Sequence, residues 1–392
     1  KFSFMEETKI YKFSELCSKI GSGATPKGGK ESYLGGNIAL IRSQNVLDFN
    51  FSVDGLAYIN NEQAQKLNNV SIEENDVLLN ITGDSVARAC MAPSWILPAR
   101  VNQHVAIVRG NADLVLNDYL LYFLQYKKSY LLSISQGGAT RNALTKRMIE
   151  DIELLLPNLS HQRKVVSILR SLDDKIELNR RINDNLEQQA QALFKSWFVD
   201  FEPFRGGKFV ESQLGMIPKG WKVGTLSDLL DIRYGKDHKK LNDGNIPVYG
   251  SGGIMRLVDG ILYNGESVLI PRKGTLNNVL YVNWPFWTVD TMFYSIEKVP
   301  NVAKYCHLLL SKLDLASMNS GSAVPSMTTD ILNKIQIIVA NQDVFSSFNE
   351  CISSLYLKAK INLDENKRLS ETRDLLLPKL MSGRLIIKDL HS

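Results

Sequence analysis

The sequence predicts an α+β protein: two duplicated globular parts of mixed α and β structure, separated by two long helices that form an antiparallel coiled coil about a pseudo-two-fold axis. Three observations predict it. Residues 160–198 carry an unbroken heptad seam, Val165, Leu169, Leu172, Ile176, Asn179, Asn183, Leu186, Ala190, Leu193 and Trp197, apolar at both ends and polar in the middle. The seam returns 183 positions later as Phe348, Ile352, Leu355, Ala359, Asn362, Asn366, Leu369, Arg373, Leu376 and Leu380, with both asparagines repeated. The match extends upstream without a gap, pairing Gly138 with Gly321, Leu144 with Met327, Thr145 with Thr328, Ile152 with Ile335 and Leu154 with Ile337. So long a period is a duplicated domain plus spacer rather than a solenoid repeat.

In order, residues 1–157 form the first globular part, 158–204 the first helix, 205–220 a linker, 221–340 the second globular part, and 341–392 the second helix and tail. Short apolar runs predict strands at Ala39-Leu40-Ile41, Val77-Leu78-Leu79, 104–108 and 152–156, and again at Val268-Leu269-Ile270, Leu280-Tyr281-Val282, 293–296 and 335–339. An apolar face predicts one helix over 117–132. Pro157 precedes the first long helix, Ser160 can cap it and Pro203 stops it, giving a rod roughly 58 Å long. The stretch RGGKFVESQLGMIPKG (205–220) reads as linker from its Gly and Pro content. Pro378 predicts a kink or early stop in the second long helix. The globular parts match more loosely than the seams: GNIALIRS (36–43) answers GNIPVYGS (244–251), and NDVLLN (75–80) answers GESVLI (265–270).

Facing seams in one chain predict that the helices pair with each other. With Asn179 opposite Asn366, Asn183 falls opposite Asn362, Ile176 opposite Leu369, Leu186 opposite Ala359, Leu193 opposite Ile352 and Trp197 opposite Phe348. The asparagine layers then fix register at a cost in stability. The pairing residues are Leu172, Ile176, Asn179, Asn183, Leu186 and Leu193 on one side and Ile352, Leu355, Asn362, Asn366, Leu369 and Leu376 on the other. The alternative is that the asparagines face solvent or an outside partner. A rod with one globular head at each end suits a split DNA site, since duplex DNA has two-fold axes of its own and repeats about every 34 Å.

Composition bounds the function. The 392 residues allow two ordinary domains, and 44% hydrophobic with 22% charged residues is a globular balance. A net charge of +5 permits a nucleic-acid partner without requiring one. The four cysteines, Cys17, Cys90, Cys306 and Cys351, are scattered, which favours a reducing cytoplasm and no zinc site. No apolar run reaches membrane-spanning length, and the charged N-terminal stretch does not read as a signal peptide. No P-loop is present, since Gly29 stands where its lysine would be in GATPKGGK (23–30). There is no Asn- or Asp-Pro-Pro-aromatic tetrapeptide of adenine methylation, and no GxGxxG, HExxH or GxSxG. The acidic pair Asp173-Asp174 reads as a solvated helix face. The chain is therefore expected to be no enzyme, with no catalytic residue, metal site or cofactor.

The globular parts carry loop Arg, Lys, Asn and Gln beside glycine, the residue types that contact phosphates and base edges. The DNA-binding candidates are Lys27, Arg42, Gln44, Arg88, Arg141 and Asn142 in the first part and Arg256, Arg272 and Lys273 in the second. Lys30, Asn45, Arg100, Lys146, Arg147, Arg233, Lys236, Lys239, Lys240, Asn277 and Asn278 form a wider set. Each has an ordinary surface role as its alternative, and Trp284 and Trp287 read as core.

Several stretches resemble the specificity (S) subunit of type I restriction-modification enzymes. GSGATPKGGKESYLGGNIALIRSQNV (21–46) looks like the opening of a target recognition domain, and LEQQAQALFKSWFVDFEP (186–203) like the central region. LGMIPKGW (214–221) looks like the entry to a second recognition domain, with VLIPRKG (268–274) and RDLLLPKLMSG (373–383) fitting the second half. The resemblance implies that each recognition domain reads one half of a bipartite site on double-stranded DNA. The helices would set the gap and dock two methylation (M) subunits, restriction (R) subunits joining through the complex. It also implies that S-adenosylmethionine, ATP and magnesium belong to those partners. Arg373 and Pro378 depart from the seam. A coiled-coil scaffold with silent heads and a DNA-modifying enzyme are the competing readings. The absent methylation tetrapeptide opposes the enzyme, and the basic, divergent heads oppose the scaffold.

Overall fold

Central strands buried on both faces organise each part of the chain. The protein is described by a computed structural model over residues 8–26, 33, 35–136, 142–318 and 326–385. It forms two units, Lys1–Leu178 with Asp364–Ser392, and Asn179–Leu363. The strands of the first unit are β1 (Lys9–Lys12), β2 (Cys17–Ser22), β3 (Ile38–Ile41), β4 (Ala57–Ile59), β5 (Val77–Asn80), β6 (Ala89–Met91), β7 (Ala99–Val101), β8 (Val105–Gly110) and β9 (Glu153–Leu156). Its helices are α1 (Phe13–Leu16), α2 (Asn61–Gln65), α3 (Asn117–Tyr126), α4 (Lys128–Ser135) and α5 (Lys146–Glu150), followed by the long α6 (Leu159–Phe198). The second unit has β10 (Phe209–Ser212), β11 (Gly215–Pro218), β12 (Lys222–Thr225), β13 (Leu230–Tyr234), β14 (Asp243–Gly250), β15 (Gly253–Val258), β16 (Ser267–Pro271), β17 (Leu280–Val282), β18 (Trp287–Thr288), β19 (Met292–Glu297) and β20 (Gln336–Val339). Its helices are α7 (Leu226–Leu229), α8 (Ala303–Lys312), α9 (Thr329–Asn333) and the long α10 (Gln342–Met381).

In the first unit an antiparallel sheet runs β2-β8-β5-β6, a second sheet runs β4-β3-β7 with β3 parallel to β7, and β1 pairs with β9. Alternation along β5 and β8 feeds two cores. Val77, Leu79, Ala106 and Val108 join the core shared with α3 and the long helices. Leu78, Val105 and Ile107 join the core under the second sheet. A strand with two apolar faces reads as a continuous apolar run. The second unit has the same order: β13-β19-β16-β17, β15-β14-β18 with β14 parallel to β18, and β12 with β20. Val268, Ile270 and Phe293 face one core there, and Leu269, Met292 and Tyr294 the other. The threonines 183 positions apart cap matching helices: Thr145 Oγ1 accepts from Met148 N and Thr328 Oγ1 from Ile331 N, both at 3.2 Å.

Within each unit the two long helices run antiparallel. In the second, Asn362 Nδ2 donates to Asn183 Oδ1 at 2.8 Å and Asn183 Nδ2 to the Ala359 carbonyl at 3.2 Å, while the Trp197 and Phe348 rings lie 5.5 Å apart. In the first, Asn366 Nδ2 donates to the Ile176 carbonyl at 3.3 Å. Farther along, Val165 and Leu169 share a core with Leu377, Leu380 and Met381. Arg373, which breaks the apolar seam, bonds Asp173 at 2.8 Å and stacks on the Phe49 ring at 3.7 Å; Asp173 also accepts from the Tyr122 hydroxyl at 2.7 Å.

Local structure differs from the sequence reading in five places. The expected helix over 117–132 is two helices broken at Lys127, whose φ and ψ of −87° and 9° leave the helical region. Asn158, not Ser160, caps α6, its Oδ1 accepting from His161 N at 2.9 Å. The helix ends at Phe198, before Pro203: the Lys195 carbonyl takes the amides of Val199 and Asp200, and Phe201 turns left-handed at φ 53°. Pro378 lies inside α10, which runs three residues past it to Met381. The stretch read as linker holds the hairpin β10-β11, with Ile217 buried and Phe209 against Phe201 at 5.9 Å.

Replacing Asp173 by Ala leaves Arg373 and Tyr122 without their shared acceptor. The Arg373 and Asp173 side chains are 11% and 20% exposed. Urea unfolding is expected to show a loss of about 3 kcal/mol, the range for breaking a shielded ion pair. A loss below about 0.5 kcal/mol would mean that solvent screens the network.

Candidate nucleic-acid interface

Turns that leave the central strands carry several of the candidate residues. In the first unit the turn after β5 holds Ile81, Thr82 and Gly83. Thr82 bridges Ala143, the Ile81 carbonyl accepts from Leu144 N at 2.8 Å, and Gly83 N donates to the Asn142 carbonyl at 2.9 Å. The turn after β16 is built alike: Lys273 bridges Ser326, and the Arg272 carbonyl accepts from Met327 N at 2.8 Å. Gly83 and Gly274 follow at φ 72° and 84°, where a side chain would be strained. Matching turns thus carry Ile81-Thr82 in one unit, with Ile81 buried in the core, and Arg272-Lys273 in the other.

The basic candidates differ in what already holds them. Arg42 donates from Nη2 to the Gly55 carbonyl and lies over Tyr33 at 5.4 Å. Gln44 Nε2 donates to the Asp54 carbonyl at 2.9 Å. Arg88 is half-buried in the turn, with its amide on the Ser85 carbonyl at 3.2 Å. Arg256 is tied to Asp243 at 2.7 Å and to the Leu241 carbonyl at 3.2 Å. Arg272 donates to the Asp290 carbonyl at 3.2 Å, over the Tyr234 ring at 5.4 Å, and Lys273 is exposed. Lys27 and Arg141 lie outside the described residues. In the wider set, Arg100 is committed to Asn68 Oδ1 and two carbonyls, Asn277 to Asp314, and Asn278 to the Ser251 carbonyl. Trp284 and Trp287 pack against the smaller cores of their unit. The pairing residues on the helices are all buried or half-buried. Sequence reasoning missed Tyr33 and Tyr234; the only signal was an aromatic residue beside glycine, as in Tyr234-Gly235.

Among the described residues no group of three or more His, Cys, Asp or Glu side chains is placed to hold a metal ion. None of the described helices is long and apolar enough to cross a membrane.

The chain matches the type I restriction modification DNA specificity domain over residues 5–188 and 218–343. It belongs to the type I restriction-modification specificity subunit family. It is 27% identical to the type I restriction enzyme MjaIX specificity subunit of Methanocaldococcus jannaschii, covering 95% of this chain and 92% of that one. It is 26% identical to the HindI specificity subunit of Haemophilus influenzae, covering 89% and 94%. The crystal structure of a type I restriction-modification S subunit from M. genitalium shares the fold, with a TM-score of 0.54 over 97% of both chains at 15% identity.

In this specificity subunit the second globular part meets its helices through a polar cluster. Lys304, 5% exposed, donates to Glu266 at 3.0 Å and Asn349 at 2.8 Å, with the Tyr281 and Tyr356 rings beside it. His307 Nδ1 meets the Tyr356 hydroxyl at 2.7 Å at the wall of a groove of about 510 Å³. Burial pulls the His307 pKa down to about 4, partly offset by its bond to the Val279 backbone. The folded state therefore favours neutral His307, while the unfolded chain takes a proton below its ordinary value near 6.5. This contribution to stability is complete above about pH 6.5 and is lost progressively down to about pH 4. In His307→Gln, which still accepts from Tyr356, the fall in stability between these limits is expected to be smaller by about 3 kcal/mol. Parallel pH profiles of the two proteins in urea unfolding would contradict this.

Proposed function

We propose that the chain is a non-catalytic DNA reader in which residues 1–157 and 221–340 are target recognition domains, each reading one half of a bipartite site. The single observation that carries this, beside family membership, is that the two units share one strand order while their matching turns carry different side chains. Shared scaffolds with unlike turns suit two readers with different half-sites. The same strand order, the matched threonine caps and the repeated asparagines support a duplication. The asparagine contacts and the antiparallel runs support a coiled coil that spaces the two domains. Its partners on this reading are double-stranded DNA, methylation subunits docked on the helices, and restriction subunits joining through them.

The test is selection from a pool of random DNA duplexes by the purified chain with its methylation partner at modest salt. Two enriched blocks at a fixed gap are expected. One block would leave one domain silent, and no enrichment would favour a protein scaffold.

The spacer role has its own test. Removing one heptad from each helix at facing positions shortens the rod by about 10 Å at 1.5 Å per residue. The selected gap is expected to shrink by about three base pairs at 3.4 Å each. An unchanged gap would remove the helices as the ruler.

A further inference from the structure

Two arginines on the candidate surface, one in each unit, lie on tyrosine rings, and they come from loops that do not correspond. Arg272 follows β16 and matches Ile81 after β5; Arg42 follows β3 and matches Gly250 at the end of β14. Some arginines of this chain end on carboxylates, as Arg109 does on Asp76 at 2.7 Å and Arg256 on Asp243 at 2.7 Å, and Arg100 is taken up by Asn68 and two carbonyls. Arg272 differs. Its guanidinium carbon lies 5.4 Å from the centre of the Tyr234 ring, one nitrogen is tied to the Asp290 carbonyl, and among the described residues it has no carboxylate partner. Arg42 has less to offer, because Nη2 is tied to Gly55 and its buried Nε finds no acceptor among the described residues.

The tyrosine is itself held. Tyr234 is 51% exposed, and its ring packs edge-on against the fully buried Phe293 at 5.0 Å. A held ring within cation–π reach narrows the orientations of the guanidinium, which a free arginine must otherwise order at an entropic cost of about 2 kcal/mol. A fixed plane with its outer edge open is what bidentate donation needs. In the major groove, guanine alone presents two acceptors, N7 and O6, side by side on one base edge. The neighbouring Lys273, exposed and compact in charge, suits a phosphate.

We propose that Tyr234 is a positioning residue that holds Arg272 to read one guanine in the half-site of the second unit. The inference rests on the DNA-reading function above and deepens it to one base and one pair of side chains.

The duplex selection, run with the full chain and its methylation partner, separates the two. Wild type and Tyr234→Phe are expected to enrich two blocks with guanine at one position of one block. Arg272→Lys and Tyr234→Leu are expected to keep both blocks and their gap while the preference for that guanine falls roughly tenfold. The retained blocks show that each variant is folded. Full guanine preference in Arg272→Lys would remove the arginine as reader, and in Tyr234→Leu it would remove the tyrosine's role. Loss of the whole block in Tyr234→Phe would make the ring a support of the fold and overturn the proposal. No blocks with wild type would overturn the DNA-reading function and this inference together.

Discussion

The apolar stripes of α6 and α10 need cover, and the globular parts supply it. A 40-residue helix gains most of its stability from packing rather than propensity. In the first unit Val165, Leu169, Leu377, Leu380 and Met381 enter the same core as the central sheet. In the second, Ala190, Phe194, Phe198, Phe345, Phe348 and Ile352 do so. Each of these buried Val, Leu, Ile, Phe and Met side chains contributes about 1.5–3 kcal/mol. The folding of each globular part is thereby tied to that of its length of helix.

The polar contacts decide register rather than adding much stability. Asn183 bonds Asn362, and a slip of one heptad would set these amides against apolar side chains, where an unpaired polar group costs about 1–3 kcal/mol. Asp173 and Tyr356 stand 183 positions apart on the two helices and do the same work with different chemistry. Asp173 gathers Tyr122 and Arg373, while Tyr356 bonds His307 beside Lys304. Each unit thus fastens a globular part to a helix at the same place by its own means.

This arrangement separates what is held fixed from what can vary. The central strands are buried on both faces and tolerate little change. The turns that leave them reach solvent at Thr82 in one unit and at Arg272-Lys273 in the other, while Ile81 stays in the core. On the proposed reading, such a division lets the target change while the scaffold stays intact.

By itself the sequence determined the α+β class, the two long helices and most central strands, because heptads and doubly buried strands leave unbroken apolar patterns. It also disclosed the asparagine positions, since polar residues in an apolar seam are conspicuous. It misplaced the cap at Ser160, the stop at Pro203 and the single helix over 117–132, where local backbone choices turned on hydrogen bonds to one carbonyl or one amide. It could not rank the basic residues. Arg256 and Arg272 look alike in sequence, and only the fold brings Asp243 to the one and Tyr234 to the other. A charged side chain's role depends on what lies within a few ångströms of its far end, and those neighbours come from distant strands, here β13 for Arg272, which is joined to β16 through β19 only once the sheet has formed.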